Sequence, residues 1–373
     1  MQFRLRLVPV VAVCAFAAGN PNVGLDVLPG MPPVLDAHNV YAADAAGMLS
    51  ATVRNDPPRV YVPNSKSDTV DVIDPATFKI IGHFALPKHR AGRLEPQHVV
   101  PSWDLKKLWV AQDLGDQLTE IDPATGKPGE TIHVDDPYNM YYTPDGKYAI
   151  VMAEREKRID FRDAQTMQVT NRVPVNCEGV NHADFTIDGR YMIATCEFSS
   201  ELIRVDVAGQ KVLSHLKLEP KGMPQDCRIS PDGKVFYVAN MDSNGVHVID
   251  SETFKQIEFI PTGKGAHGLY FSRDGKYMYV SNRGEGSVSL LDLRTRKVAA
   301  KWTIPGGGSP DMGGVSADGK ELWLSGRYNG EVYVFDTSNG TLRARIKVGQ
   351  GPHGMCVWPQ PGRYSLGHTG NMR

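Results

Sequence analysis

Strands that close on an aspartate recur through this chain at Asp74, Asp122, Asp163, Asp206, Asp250, Asp292 and Asp336, at intervals of 48, 41, 43, 44, 42 and 44 residues. A period of about 40–45 residues with four short strands per unit is the mark of a propeller blade. The fullest copies run over 224–255, 266–297 and 310–342. In the first, Cys227-Arg228-Ile229-Ser230 leads into Pro231-Asp232-Gly233-Lys234; Phe236-Tyr237-Val238-Ala239-Asn240 follows, then Val246-His247-Val248-Ile249-Asp250. Asp-Gly between alternating apolar runs is a hairpin signal, repeated at Asp145-Gly146, Asp188-Gly189, Asp232-Gly233, Asp274-Gly275 and Asp318-Gly319. Alternation such as Val70-Asp71-Val72-Ile73 has the period of a strand, and no segment sustains a helical period.

A single blade cannot bury both of its faces, so the units must stack into a ring. The first unit opens at Arg59-Val60-Tyr61-Val62 without its own innermost strand, whereas the chain ends on an orphan innermost strand, Pro352-His353-Gly354-Met355-Cys356-Val357-Trp358. Joining the two predicts an all-β fold, a seven-bladed β-propeller of four antiparallel strands per blade over 59–358. The C-terminal strand pairs with 59–62 and removes the open sheet edges. The 37 Gly and 26 Pro of the 373 residues then serve the strand connections, where such residues are favoured.

Outside the repeats the chain divides into a leader, 1–17, an extended segment, 18–58, and a tail, 359–373. Arg4 and Arg6 precede a 12-residue apolar stretch, Leu7 to Ala18, and Ala15-Phe16-Ala17 supplies a small-x-small cleavage pattern. This reads as a secretory signal peptide and predicts a secreted, periplasmic or cell-surface protein; Cys14, preceded by the branched Val13, is a poor lipoprotein site. Cleavage after Ala17 leaves 39 basic against 42 acidic residues, a net charge of −3. That balance gives no electrostatic footprint for a nucleic acid. No apolar run reaches the roughly 18 residues of a membrane span. The four remaining cysteines form no Cys-x-x-Cys and no haem-attachment motif.

The second strands read Tyr61-Val62-Pro63-Asn64, Tyr237-Val238-Ala239-Asn240 and Tyr279-Val280-Ser281-Asn282, with Trp109-Val110-Ala111-Gln112 a looser copy. Residues 59–358 thus resemble the YVTN-repeat, YncE-like β-propellers. The resemblance implies a seven-bladed propeller of a kind commonly exported in bacteria and archaea. It implies little about chemistry, because one propeller architecture hosts binding proteins, lyases and copper or quinone oxidoreductases.

Aligning the innermost strands places His98, Asn139, His182, Asp226, His267, Asp311 and His353 at seven equivalent positions around the axial channel. Imidazole with carboxylate suits Cu, Zn, Fe or Mn, so His98, His182, His267 and His353 are candidate metal ligands, with Asn139, Asp226 and Asp311 as ligand-binding groups. The bland alternative is a water-filled channel whose histidines bond loop backbone. Because neighbouring residues on a strand face opposite ways, a one-residue register error would turn these groups away. Loops on the same face bring Arg155, Arg283 and Arg327, able to clamp a carboxylate or phosphate. Two readings compete for Cys177 and Cys196: a disulfide, or soft metal ligation beside His182. Cys227 and Cys356 read as small buried hydrophobes. Gly263-Lys264-Gly265-Ala266-His267-Gly268 matches a dinucleotide fingerprint in letters only, since no helix follows it.

The expected function is therefore an exported, monomeric propeller that binds a small ligand at the channel mouth with a metal ion, extending to a metal-dependent oxidoreductase or lyase. The alternative is a non-catalytic surface module holding a protein or polysaccharide. Single-stranded nucleic-acid binding is a third option, which the charge balance disfavours.

Overall fold

Each recurring aspartate ends the third strand of its blade because its carboxylate folds back over the turn that follows. Asp74 accepts from Ala76 N and Thr77 Oγ1, Asp122 from Ala124 N and Thr125 Oγ1, and Asp250 from Thr253 N and Oγ1. Such local bonds compete with further ladder pairing and favour a turn. At the Asp-Gly turns the glycines take φ between +67° and +78°, a region where a Cβ is strained.

A computed structural model describes residues 25–89 and 91–373. It comprises seven four-stranded antiparallel sheets. Blade 1 spans 59–85, and blades 2 to 7 span 96–133, 137–174, 180–217, 224–261, 266–303 and 310–347. Blade 1 takes its innermost strand, Cys356–Trp358, from the far end of the chain, with Arg59 opposite Trp358, Val60 opposite Val357 and Tyr61 opposite Cys356. An isolated bridge between Asn64 and Pro352 extends this seam. The ring is thus closed as the repeat arithmetic required. Apolar clusters lie between blades; Trp323, Val332, Val60, Val62 and Val357 join blade 7 to blade 1. Among the described residues no helix is long and apolar enough to cross a membrane.

The innermost strands depart from regular pairing at their first residues. Register shifts lie between Pro96 and His98, Pro137 and Asn139, Val180 and Ala183, Pro224 and Cys227, Ala266 and Leu269, and Pro310 and Gly313. Bulges of this kind re-aim side chains, and here they occur at the positions that carry the polar ring.

The two end segments lie on the opposite side of the ring, across the Asp-Gly turns. Leu28 N donates to Asp188 O, Val40 N to Pro231 O and Gly47 N to Ala317 O. The tail after Trp358 enters the channel: Ser365 N donates to Trp103 O, His368 N to Met140 O, and Tyr142 N to Leu366 O. It is held at its end by Arg373 Nη2 on Asp184 Oδ1 at 2.5 Å. Gly367 permits this approach, because a Cβ there would stand 2.4 Å from Met140 O, at φ +100°. The expected leader, 1–17, lies outside the described residues.

Candidate functional site

The starts of the innermost strands and the C-terminal tail bring five imidazoles and a carboxylate together in the channel. The ring centre of His98 lies 4.9 Å from that of His353, 5.6 Å from His182 and 5.2 Å from His368; His182 and His267 are 6.4 Å apart. A nitrogen from each of His98, His182 and His368 lies within 4.8 Å of the others, and so do donor atoms of His267, Asp311 and His353. All six side chains are buried. His368 belongs to the C-terminal tail and carries no repeat signature; only the structure brings it here.

Hydrogen bonding fixes which ring nitrogens are free. His98 Nδ1 lies 2.9 Å from Tyr138 O, His353 Nδ1 3.2 Å from Gln97 O, and His182 Nδ1 3.0 Å from Asn181 Oδ1. Each partner is an acceptor, so each Nδ1 carries the proton and each Nε2 presents a lone pair. Asn181 Oδ1 is itself fixed as an acceptor by Thr195 Oγ1 at 2.7 Å. Metal-binding imidazoles are commonly held this way, through the nitrogen that does not ligate.

Among the described residues, buried polar atoms without a hydrogen-bond partner include His98 Nε2, His182 Nε2, His368 Nε2 and both oxygens of Asp311. Such atoms call for a water or an ion. His267 Nδ1 and Arg283 Nε approach Asp311 Oδ1 to 3.0 and 3.1 Å, at ion-pair distance but out of line for a hydrogen bond. His353 Nε2 lies 3.6 Å from Asp311 Oδ2, which sets two acceptors against each other.

Burial governs the charges. Loss of solvent pushes His98 down to about 3 and His267 to about 4, and holds His182, His353 and His368 well below the usual imidazole range. The imidazoles are therefore neutral, the form that ligates metals. Burial would raise Asp311, but Arg283 and His267 outweigh it and bring the carboxyl down to about 2. Asp226 moves the other way, raised by burial to about 7. Its oxygens accept from Cys227 N and Leu269 N at 2.9 Å, so Asp226 braces two blades.

A family model described as YNCE-like β-propeller matches residues 23–362. The chain belongs to the YNCE-like β-propeller family. No curated protein matches it. Among solved structures, Kuenenia stuttgartiensis hydrazine synthase is similar at 19% identity and a TM-score of 0.62, covering 78% of this chain and 98% of that one. The dihydro-heme d1 dehydrogenase NirN, solved in complex with DHE, is similar at 16% identity and a TM-score of 0.61, covering 88% and 83%. A protein from Desulfotomaculum acetoxidans described as functionally unknown has 14% identity, a TM-score of 0.63, and coverage of 80% and 98%. At these identities the likeness is one of fold.

In this YNCE-like propeller the rim above the imidazoles is polar. Tyr138, 9% exposed, sets its ring edge-on to His98, His182 and His353. Asn181 Nδ2 donates to Glu197 Oε2 at 2.6 Å and Glu154 Oε1 at 3.3 Å. Burial and then Glu197 raise the Glu154 carboxyl to about 9. Arg283 Nη1 donates to Tyr328 Oη, and Arg327 Nη1 to Ser65 Oγ. Arg155 shares its guanidinium among Asp113, Asp116 and Asp136 at 2.9–3.0 Å. Asn139 Nδ2 faces Asn181 O and His368 Nδ1. Cys177 and Cys196 form a disulfide across blade 4, and Cys227 and Cys356 are free and buried.

Proposed function

We propose that this protein is an exported propeller that holds a transition-metal ion in its channel and takes a small ligand there. The observation carrying this is the arrangement of His98, His182 and His353. Each spends its Nδ1 proton on a protein acceptor and leaves Nε2 bare, and one of these lone pairs stands 3.6 Å from the ionised Asp311 carboxylate. Burying lone pairs and a carboxylate face to face is costly unless a cation or a hydrogen-bond donor lies between them, and converging imidazole and carboxylate donors favour the cation.

In this reading His353 donates through Nε2 and Asp311 through its carboxylate, with the bare Nε2 of His98 beside them, its ring centre 4.9 Å from that of His353. His267 and Arg283 hold Asp311 in place and keep it ionised. The chemistry of the donors fits, since imidazole suits Cu, Zn and Fe, and an added carboxylate is compatible with Fe or Mn. When bound, such an ion supplies Lewis acidity, and copper or iron also a one-electron couple. The Tyr138 ring packs edge-on against the imidazoles. The disulfide supports export, because such bonds persist in oxidising compartments. A dihydro-heme d1 dehydrogenase of the same fold makes an oxidoreductase the enzymatic extension of choice.

The test is elemental analysis of protein purified without chelators, followed by titration with Cu(II), Zn(II) and Co(II). The expected result is tight uptake by the wild type and loss of it in a His98→Ala/His353→Ala variant of unchanged circular dichroism. Folded wild-type protein that takes up none of these ions would overturn the proposal and leave the loop-built rim, as a protein-interaction surface, the better reading.

A further inference from the structure

We infer that His368 is not a metal ligand but a hydrogen-bond donor, aimed from the C-terminal tail at a small anion bound to the metal. The inference rests on the metal reading above and adds the class of ligand that the site accepts.

The argument begins with Asn139. Its Oδ1 accepts from Met140 N at 2.9 Å, which fixes the amide. Its Nδ2 therefore faces His368 Nδ1 at 3.0 Å, Tyr141 Oη at 3.2 Å and Asn181 O at 3.3 Å, the imidazole nitrogen being the shortest of the three. An amide N–H next to Nδ1 requires Nδ1 to be the acceptor. A neutral imidazole has one proton, so that of His368 sits on Nε2. This is the reverse of His98, His182 and His353, whose protons sit on Nδ1.

Among the described residues the Nε2–H of His368 has no acceptor. Asp226 Oδ1 stands 3.8 Å away, beyond hydrogen-bond reach, and Nε2 is buried without a partner. A buried donor left unpaired is expensive, and this one is held firmly. The ring lies parallel to Tyr141, 12° between planes, and its backbone N donates to Met140 O. Its centre is 5.2 Å from those of both His98 and His182. A donor N–H fixed beside two lone-pair nitrogens matches a guest that binds the ion through one atom and accepts a hydrogen bond. Small anions with oxygen or nitrogen donors have that chemistry.

The experiment uses full-length protein loaded with Cu(II) and titrated with azide and formate, followed by the visible charge-transfer and ligand-field bands. His368→Ala should bind Cu(II) to wild-type stoichiometry but azide at least about tenfold more weakly, the usual scale for a lost outer-sphere contact. His368→Gln, which keeps an N–H donor, should recover most of that loss. Thermal melts of both variants check folding. If His368→Ala loses copper as His98→Ala does, His368 is a ligand and the inference is wrong. Wild-type azide affinity in His368→Ala and His368→Gln alike would equally overturn it. Wild-type protein that takes up no copper fails at the loading step, before any anion is added, and so identifies the metal reading itself as the error.

Discussion

His353 Nε2 and Asp311 Oδ2 lie 3.6 Å apart inside the channel, and both are acceptors. His353 is fixed as one by donating Nδ1–H to Gln97 O. Asp311 is fixed as one by Arg283 and His267, which keep it ionised. Removing the charge should therefore remove the cation. Asp311→Asn, nearly identical in shape, is expected to weaken metal binding by about 100-fold, read by competition against a chromophoric chelator. Undiminished affinity would exclude Asp311 from the coordination set.

Buried neutral imidazoles also tie stability to pH. His98 titrates near 6.5 when unfolded and at about 3 when folded. Between those values the unfolded chain binds the extra proton, so this contribution is intact above pH 6.5 and is lost as the pH falls toward 3. Raised carboxyls such as Asp226 and Glu154 act in the opposite sense, so the whole-protein curve mixes both. The stability difference between wild type and His98→Gln isolates one group. That difference should move against the wild type by about 1.4 kcal/mol per pH unit from pH 6 to 4, measured by urea unfolding of metal-free protein. A pH-independent difference would refute the assignment.

Cys177 and Cys196 close a loop with a sequence separation of 19. A cross-link of that length stabilises by about 3 kcal/mol, chiefly by restricting the unfolded chain. The Cys177→Ala/Cys196→Ala protein should lose that amount in chemical denaturation, and a reductant should destabilise the wild type alone. A change under about 1 kcal/mol would show that the bond does not constrain the unfolded state.

At Gly367 the tail passes so close to blade 3 that no Cβ fits between Gly367 and Met140 O. Gly367→Ala combines that clash with a left-handed backbone, a strain of about 1–3 kcal/mol. The tail is expected to leave its seat and break the stacked pair of Trp103 and Tyr364. Near-ultraviolet circular dichroism and limited proteolysis report this; an unchanged spectrum with a protected tail would count against the prediction.

The blades were legible because their signals are local and repeated. Asp74 and its six equivalents mark strand ends through bonds made within the next few residues, and each Asp-Gly turn asks only for a positive φ. The polar ring was legible for the same reason, since equivalent positions in a ring share an axis. Arg155 illustrates what is not legible: its partners Asp113 and Asp136 come from a loop within blade 2 and from the junction between blades 2 and 3, and nothing in the spacing pairs them with it. His368 is another case. It lies in a tail without periodicity, and its place depends on Gly367, Asn139 and Tyr141 acting together. The bulges that aim His98 and His267 inward likewise leave no mark in the alternation of residues.

The seam that closes the ring also orders events in time. His98, His182, His267 and Asp311 leave the ribosome before His353 and His368, both of which lie beyond residue 350. The stretch that carries these two histidines is also the one that supplies the innermost strand of blade 1. A chain that stops short of residue 350 thus lacks two of the five channel histidines and the strand that closes the ring. Completion of the histidine cluster and closure of the ring draw on one and the same stretch of chain.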